Sequence, residues 1–341
     1  MAYTTINKST SYFNTKLYTG NGTQRSISNI GFQPDWVWFK NRSASQPHCL
    51  VDAVRGVNNS LASNTTGAVD TDTNDLQAFQ SDGFQIGTNN RVNGNGNSMV
   101  AWNWKAGGTG SANTDGDINS TVSVNQTAGF SIVKYTGTDV AGATVGHGLN
   151  AVPKWIIVKR LAGSGYDWVV YHANDTAGLY LNSDGYNNDS SSNNIWFNGA
   201  APTSSVFSIG TDGRIGDATD FIAYCFAEKT GYSKFGKYIG NGNADGTFVY
   251  TGFKPAWVMF KRIDNSSNWH MQDNKRIGYN LNNYRLYADV ADAETTSGVV
   301  DFLSNGFKFR ATAMNTNGGT FIYTAFGQSI VGSNNIPATA R

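Results

Sequence analysis

Four histidines, His48, His147, His172 and His270, are the first places to look for chemistry in this sequence. His48 has Asp52 four residues on, and His270 has Asp273 three residues on. A histidine–aspartate pair can serve as general acid and base. No Gly-x-Ser-x-Gly elbow or other nucleophile signature accompanies either pair, so both histidines read as strand residues with locally satisfied nitrogens. No two histidines stand at metal-ligand spacing. The run Asp70-Thr-Asp-Thr-Asn-Asp75 opens like a calcium loop, with Asp70, Asp72 and Asn74 as candidate ligands. Its sixth position is Asp75 where such loops need glycine, and its twelfth is Ser81 where they need glutamate, so a plain surface loop is expected. Glycoside hydrolysis needs two carboxylates held across a cleft, and no closely spaced acidic strand motif supplies them. Cys49 and Cys225 lie in apolar, strand-like runs and read as small buried hydrophobes. These observations point away from an enzyme and imply no cofactor.

Binding is harder to set aside, because stacking a ring on a sugar needs only an exposed aromatic side chain. Trp168, Trp196, Trp269, Tyr180, Tyr186 and Tyr284 fall outside the repeated frame described next, and they are the candidates for that role. The competing reading for each is packing between domains or against a neighbouring subunit.

The elements that would position these residues occur three times. Gly31-Phe-Gln-Pro-Asp-Trp-Val-Trp-Phe-Lys40, Ala151-Val-Pro-Lys-Trp-Ile-Ile-Val-Lys159 and Gly252-Phe-Lys-Pro-Ala-Trp-Val-Met-Phe-Lys261 share one frame, a Pro-x-Trp step running to a lysine. Its fixed points are Pro34 and Trp36, Pro153 and Trp155, and Pro255 and Trp257. Upstream stand Tyr18-Thr-Gly20, Tyr135-Thr-Gly137 and Tyr238-Ile-Gly240, and each copy closes on an apolar run ending near Trp104, Phe226 and Phe326. The prolines are 119 and 102 residues apart, so the repeat is a domain and not a solenoid unit. Proline lacks an N–H and suits the first residue of a strand. In the first copy Trp36 and Trp38 face one side and Val37 and Phe39 the other, which describes a strand covered on both faces. Lys40, Lys159 and Lys261 are expected to close these strands at the solvent edge.

Composition agrees with an all-β chain. Of 341 residues, 14% are charged, 13% are aromatic and 39 are glycine, a mixture suited to short strands and tight turns. A net charge of +1 gives no support to a nucleic-acid partner. No apolar stretch approaches the roughly 18 residues of a membrane span, and the polar N-terminus reads as cytoplasmic synthesis. The predicted fold is three tandem β-sandwich domains of jelly-roll or lectin-like kind. The predicted boundaries are 1–107, 129–230 and 231–328, with a flexible Gly/Ser/Asn-rich linker at 108–128 and a tail at 329–341. The last two domains are expected to pack rigidly, with the first placed more independently.

The strings GFQPDWVWFKNRS, VDAVRG, DGFQIG and VAWNWKAGG resemble an uncharacterised tandem β-domain family of marine tailed-phage virion proteins. So do GYSKFGKYIGNGNADGTFVYTGFKPAWVMFKR and DFLSNGFKFR in the third copy. The resemblance covers copies one and three along nearly their full length and the middle copy in part. The middle copy lacks the Gly-Phe before its proline and carries an insertion near 182–205. The resemblance implies a tail-fibre-like or virion-associated protein, and the lack of a catalytic constellation leaves a non-enzymatic role on the virion exterior, with capsid decoration or a head fibre the expected place. Its alternative is a tail-fibre or receptor-binding module recognising host polysaccharide. Other virion proteins and a host-surface glycan are the implied partners, with assembly into a homo-oligomer, trimeric for a fibre. The family brings no assigned catalytic residue, ligand or virion location with it.

Overall fold

The computed structural model describes residues 4–175, 178–186, 195, 197–297 and 300–329. Nearly all of its regular structure is β, and every pair of neighbouring strands in its sheets runs antiparallel. Among the described residues no helix is long and apolar enough to cross a membrane.

Each sequence repeat places the same four strands in the same order, and repeats two and three add strands to them. In repeat one the order is Phe13–Thr19, Ser98–Trp104, Trp36–Asn41, Cys49–Asp52. In repeat three it is Ser233–Ile239, Thr320–Gly327, Pro255–Arg262, His270–Asp273, with Leu286–Tyr287 added at the edge. Repeat two has Phe130–Thr136, Asp220–Ala227, Pro153–Arg160 and Val169–His172 in that order. Its sheet is widened to seven strands by Leu179–Tyr180 on one side and by Ser111–Asn113 and Ser120–Asn125 on the other. Residues expected to form a flexible linker are therefore strands. The alternation of Ser120-Thr-Val-Ser-Val-Asn125 pairs in register with Phe130–Tyr135, and local Gly/Ser/Thr richness concealed it.

The two faces of the Pro-x-Trp strands part as their alternation predicts. Trp36, Trp38, Trp155, Ile157, Trp257 and Met259 enter one central cluster to which all three repeats contribute. Val37 and Phe39, Ile156 and Val158, and Val258 and Phe260 point the other way, each pair into a separate cluster beneath a small outer sheet. The outer sheets hold Arg25–Ser28, Gly83–Ile86 and Leu76–Gln80 in repeat one, Thr144–Gly146 and Val206–Ser208 in repeat two, and Phe248–Tyr250, Gly306–Phe309 and Val300–Leu303 in repeat three. Repeat one is thus no more independent than the others, since its tryptophans share the interior of repeats two and three. A buried aromatic side chain removes on the order of 200 Å² from water, worth roughly 5 kcal/mol of transfer free energy at about 25 cal/mol per Å². The central cluster is accordingly the largest single source of cohesion between repeats.

The Tyr-x-Gly motif anchors each sheet to the loop before its closing strand. The hydroxyls of Tyr18, Tyr135 and Tyr238 donate to the carbonyls of Val92, Ile215 and Met314. A side chain at Gly20, Gly137 or Gly240 would strike the backbone of that same loop, at the carbonyls of Gly94, Asp217 and Thr316.

Candidate functional site

Pairing registers fix which residues correspond among the repeats. Trp36 lies opposite Trp104 and Asp52, Trp155 opposite Phe226 and His172, and Trp257 opposite Phe326 and Asp273. Trp104, Phe226 and Phe326 are therefore equivalent, and their rings meet one another at 6.5, 5.6 and 5.7 Å between centroids. Three copies of one position form a closed ring of contacts at the centre of the molecule. Pro34, Pro153 and Pro255 are buried with them.

Polar groups at equivalent positions link the repeats in the same cyclic sense. His48, Trp168 and Trp269 each immediately precede the strand beside the Pro-x-Trp strand. His48 accepts from Trp38 Nε1 at Nδ1 (2.8 Å), and its Nε2 donates to the carbonyl of Tyr287 in repeat three (2.8 Å). Trp269 Nε1 donates to the carbonyl of Tyr180 in repeat two (3.0 Å), and Trp168 Nε1 donates to that of Ala62 in repeat one (2.9 Å). Burial pulls the His48 imidazole down to about 3 and keeps it neutral.

The next set occupies the positions opposite the three motif tryptophans. Asp52 accepts from the Tyr224 hydroxyl of repeat two (2.8 Å), and Asp273 accepts from Trp102 Nε1 of repeat one (3.0 Å). Arg55 and Arg276 pair with these aspartates at 2.5 and 2.7 Å, all four side chains being almost fully buried. Repeat two has His172 there, and its Nε2 donates to the Tyr323 carbonyl of repeat three (3.2 Å). Burial lowers His172 to about 4. His48 and Asp52 are thus each engaged by other groups, and the same holds for Asp273. His270 is enclosed edge-on against the Tyr287 ring at 4.8 Å, and burial holds it near 3.

Lys40, Lys159 and Lys261 are wholly buried, which corrects the expectation of a solvent edge. A neighbouring repeat reaches the strand ends at Lys40 and Lys261, a long-range fact invisible in a local pattern, and Lys159 is covered by Tyr166 and Trp168 of its own repeat. Lys40 donates to the carbonyls of Asn41, Gln46 and, across the repeat boundary, Ala291, each at 2.9 Å. Lys261 reaches the Asp184 carbonyl of repeat two at 2.7 Å, and Lys159 donates to Tyr166. Desolvation pulls all three ammonium groups down to about 8.

The aromatic residues singled out for sugar stacking are largely used inside the protein. Trp168 and Trp269 are buried in the central cluster because they occupy the bridging position, and Tyr180 is buried with the Arg214 guanidinium over its ring. Tyr284 is half-buried under Arg42, and Tyr186 is exposed. Trp196 lies outside the described residues. In the Asp70–Asp75 run, Arg91 supplies the positive charge. It pairs with Asp70 at 2.8 Å and with the buried Asp75, while Asp72 accepts from Asn89 and from the amide of Asn74. Among the described residues no three His, Cys, Asp or Glu side chains gather as a metal would require. Cys49 and Cys225 are free and buried.

Repeat three also carries a cavity built from segments distant in sequence. The cavity, of about 400 Å³, is lined by Lys254, Asn274, Tyr279, Asn282, Phe302 and Gln328, among others. The residue following Asp273 is Asn274, whereas Ala53 and Ala173 stand there in repeats one and two. Gln328, two residues past Phe326, corresponds to Ala106 and Glu228. Aligning the copies on their pairing partners would have exposed these two amides as a departure confined to one repeat.

No curated protein and no solved structure matches the chain. A family profile described as a domain of unknown function, DUF7483, matches residues 8–329, taking in all three repeats at once, and the chain belongs to that family.

Proposed function

We propose that this protein is a non-enzymatic structural component of a tailed-phage virion, carried on the particle exterior as capsid decoration or a head fibre, and built from three β-sandwich units. The second unit takes in residues 111–125 as part of its sheet. The observation that carries the reading is the use made of the reactive side chains. His48, His172, Asp52, Asp273, Lys40 and Lys261 each bond to a neighbouring repeat. Groups that hydrolysis or transfer would require are occupied in holding three copies together. The sequence resemblance of repeats one and three to virion-associated proteins supports a place in a virion. The trimeric symmetry expected of a fibre or spike is, in this reading, met within a single chain. Such a body would present a hydrated surface low in charge and rich in Asn, Ser and Thr. Mass spectrometry of separated heads and tails tests the location: the protein is expected with heads, and recovery only with tails would overturn it.

A further inference from the structure

Three equivalent strand edges are finished in three different ways, and the one in repeat three is left able to pair. Ile27, Val145 and Val249 lie opposite Phe84, Phe207 and Phe307, so Arg25–Ser28, Thr144–Gly146 and Phe248–Tyr250 are equivalent strands of the outer sheets. In repeats one and three that strand stands at the edge of its sheet. In repeat two Ile118 pairs in parallel with Val145 across the same edge, and its amide donates to the Thr144 carbonyl at 3.0 Å. The Asp117 carboxylate there accepts from the Thr144 amide at 3.0 Å. The fold itself thus covers one copy of this edge with an added extended segment.

Repeat one leaves its edge polar, with Ser26 and Ser28 exposed on either side of the buried Ile27. Repeat three has Phe248 and Tyr250 at those positions, 44% and 60% exposed, about the buried Val249. Thr247-Phe-Val-Tyr-Thr251 carries no charge, and each of its residues favours extended structure. Natural edges are commonly blunted by charge, proline or a bulge, and this one has none of them.

Pairing within the sheet fixes which groups face outward. The Phe309 amide donates to the Thr247 carbonyl and the Thr251 amide to the Asn305 carbonyl, so the odd-numbered residues bond into the sheet. The amides and carbonyls of Phe248 and Tyr250 therefore point away from it. We infer that this edge pairs with the same edge of a second copy of the chain, antiparallel about Val249, joining two three-stranded outer sheets into one. Phe248 then exchanges two backbone hydrogen bonds with Tyr250 of the second copy, and Tyr250 two with its Phe248. The side chains of each such pair meet on the solvent face as a favourable aromatic cross-strand pair. The charges permit it, since Lys308, opposite Phe248 on the neighbouring strand, is already neutralised by Asp245 at 2.6 Å. The edge is its own complement, which favours a second copy over a strand of another protein, and the contact closes at two. This adds a self-association surface to the structural role and holds wherever on a particle the chain sits.

A contact of one short edge is small, so sedimentation velocity on the full chain is run from about 10 µM to about 1 mM, where a monomer is expected to give way to a dimer. Phe248→Ser combined with Tyr250→Ser gives repeat three the edge of repeat one. It is expected to weaken dimerisation about tenfold or more with the melting temperature unchanged. Tyr250→Pro removes an N–H on the free side alone, where an edge strand tolerates proline, and is expected to weaken the dimer as well. A chain that stays monomeric at the highest concentration would overturn the inference and leave this edge to a strand of another protein. A dimer that persists undiminished in either variant would overturn it too.

Discussion

Repeats one and three differ from repeat two in how they solve the same problem. Opposite each motif tryptophan a polar group must reach the adjacent repeat. The outer copies use Asp52 and Asp273, each held by an arginine three residues on and each accepting from a ring group of another repeat. The middle copy uses a neutral histidine that donates instead of accepting. The position therefore calls for a hydrogen bond across the boundary and not for a particular charge. The two solutions differ in their sensitivity to substitution and to pH, so they can be separated by experiment.

The largest effect is expected from Asp273→Ala. It takes from the fully buried Arg276 one of its two carboxylates, leaving Glu294 at 2.9 Å, and unpairs Trp102 Nε1, and breaking such a buried pair costs about 3–5 kcal/mol. Equilibrium denaturation measures it, and a loss below 1 kcal/mol would mean that the ion pair does not support the boundary. His172→Ala should cost less, about 1–3 kcal/mol, because it unpairs the Tyr323 carbonyl and the Asn174 amide without stranding a charge. If the middle copy proved the more sensitive, the contrast between charged and neutral bridges would fail.

Acid sharpens the same contrast. The imidazoles of His172 and His48 lie at about 4 and 3 in the folded protein against an ordinary 6.5. Between those values the unfolded chain binds more protons, so stability falls as pH drops from 6.5 toward 4, by about 1.4 kcal/mol per unit of difference for each group. Thermal melts across that window should show the decline, and His172→Gln should make it shallower by the share of that one group, with His48 and His270 supplying the rest. A melting temperature constant from pH 7 to 4 would contradict the buried neutral bridges. The smallest effect is expected at Lys40. Lys40→Met removes a costly buried charge but leaves three carbonyls unpaired, and the two largely offset, for a net loss under about 1 kcal/mol. Stabilisation instead would show that the amine contributes less than its burial costs.

How much of this could be read from the sequence follows the range of the information. The alternation of Trp36-Val-Trp-Phe39 is local, and it correctly divided the strand between two cores. The Asp52–Arg55 pair, three residues apart, was equally legible. The identity of what lies opposite a face is not local. Trp168 and Trp269 looked available for ligand because nothing near them in sequence covers them, whereas Ala62 and Tyr180 of other repeats do. His48 and His270 each stand a few residues before an aspartate and look equivalent in sequence, but pairing registers place His48 with Trp269, one residue earlier. That shift moves a side chain to the opposite face of a strand. It turned three equivalent bridges into two histidines of uncertain purpose. The cavity of repeat three was illegible for a related reason, since Lys254, Asn274, Asn282 and Gln328 come from separate segments that meet only in the folded chain.

The central claim is that the three repeats share one interior and stand or fall together. Differential scanning calorimetry of the whole chain tests it most directly. A single transition whose calorimetric and van't Hoff enthalpies agree is the expected result. Two or three resolved transitions, each close to the size expected for a domain of about 100 residues, would contradict it.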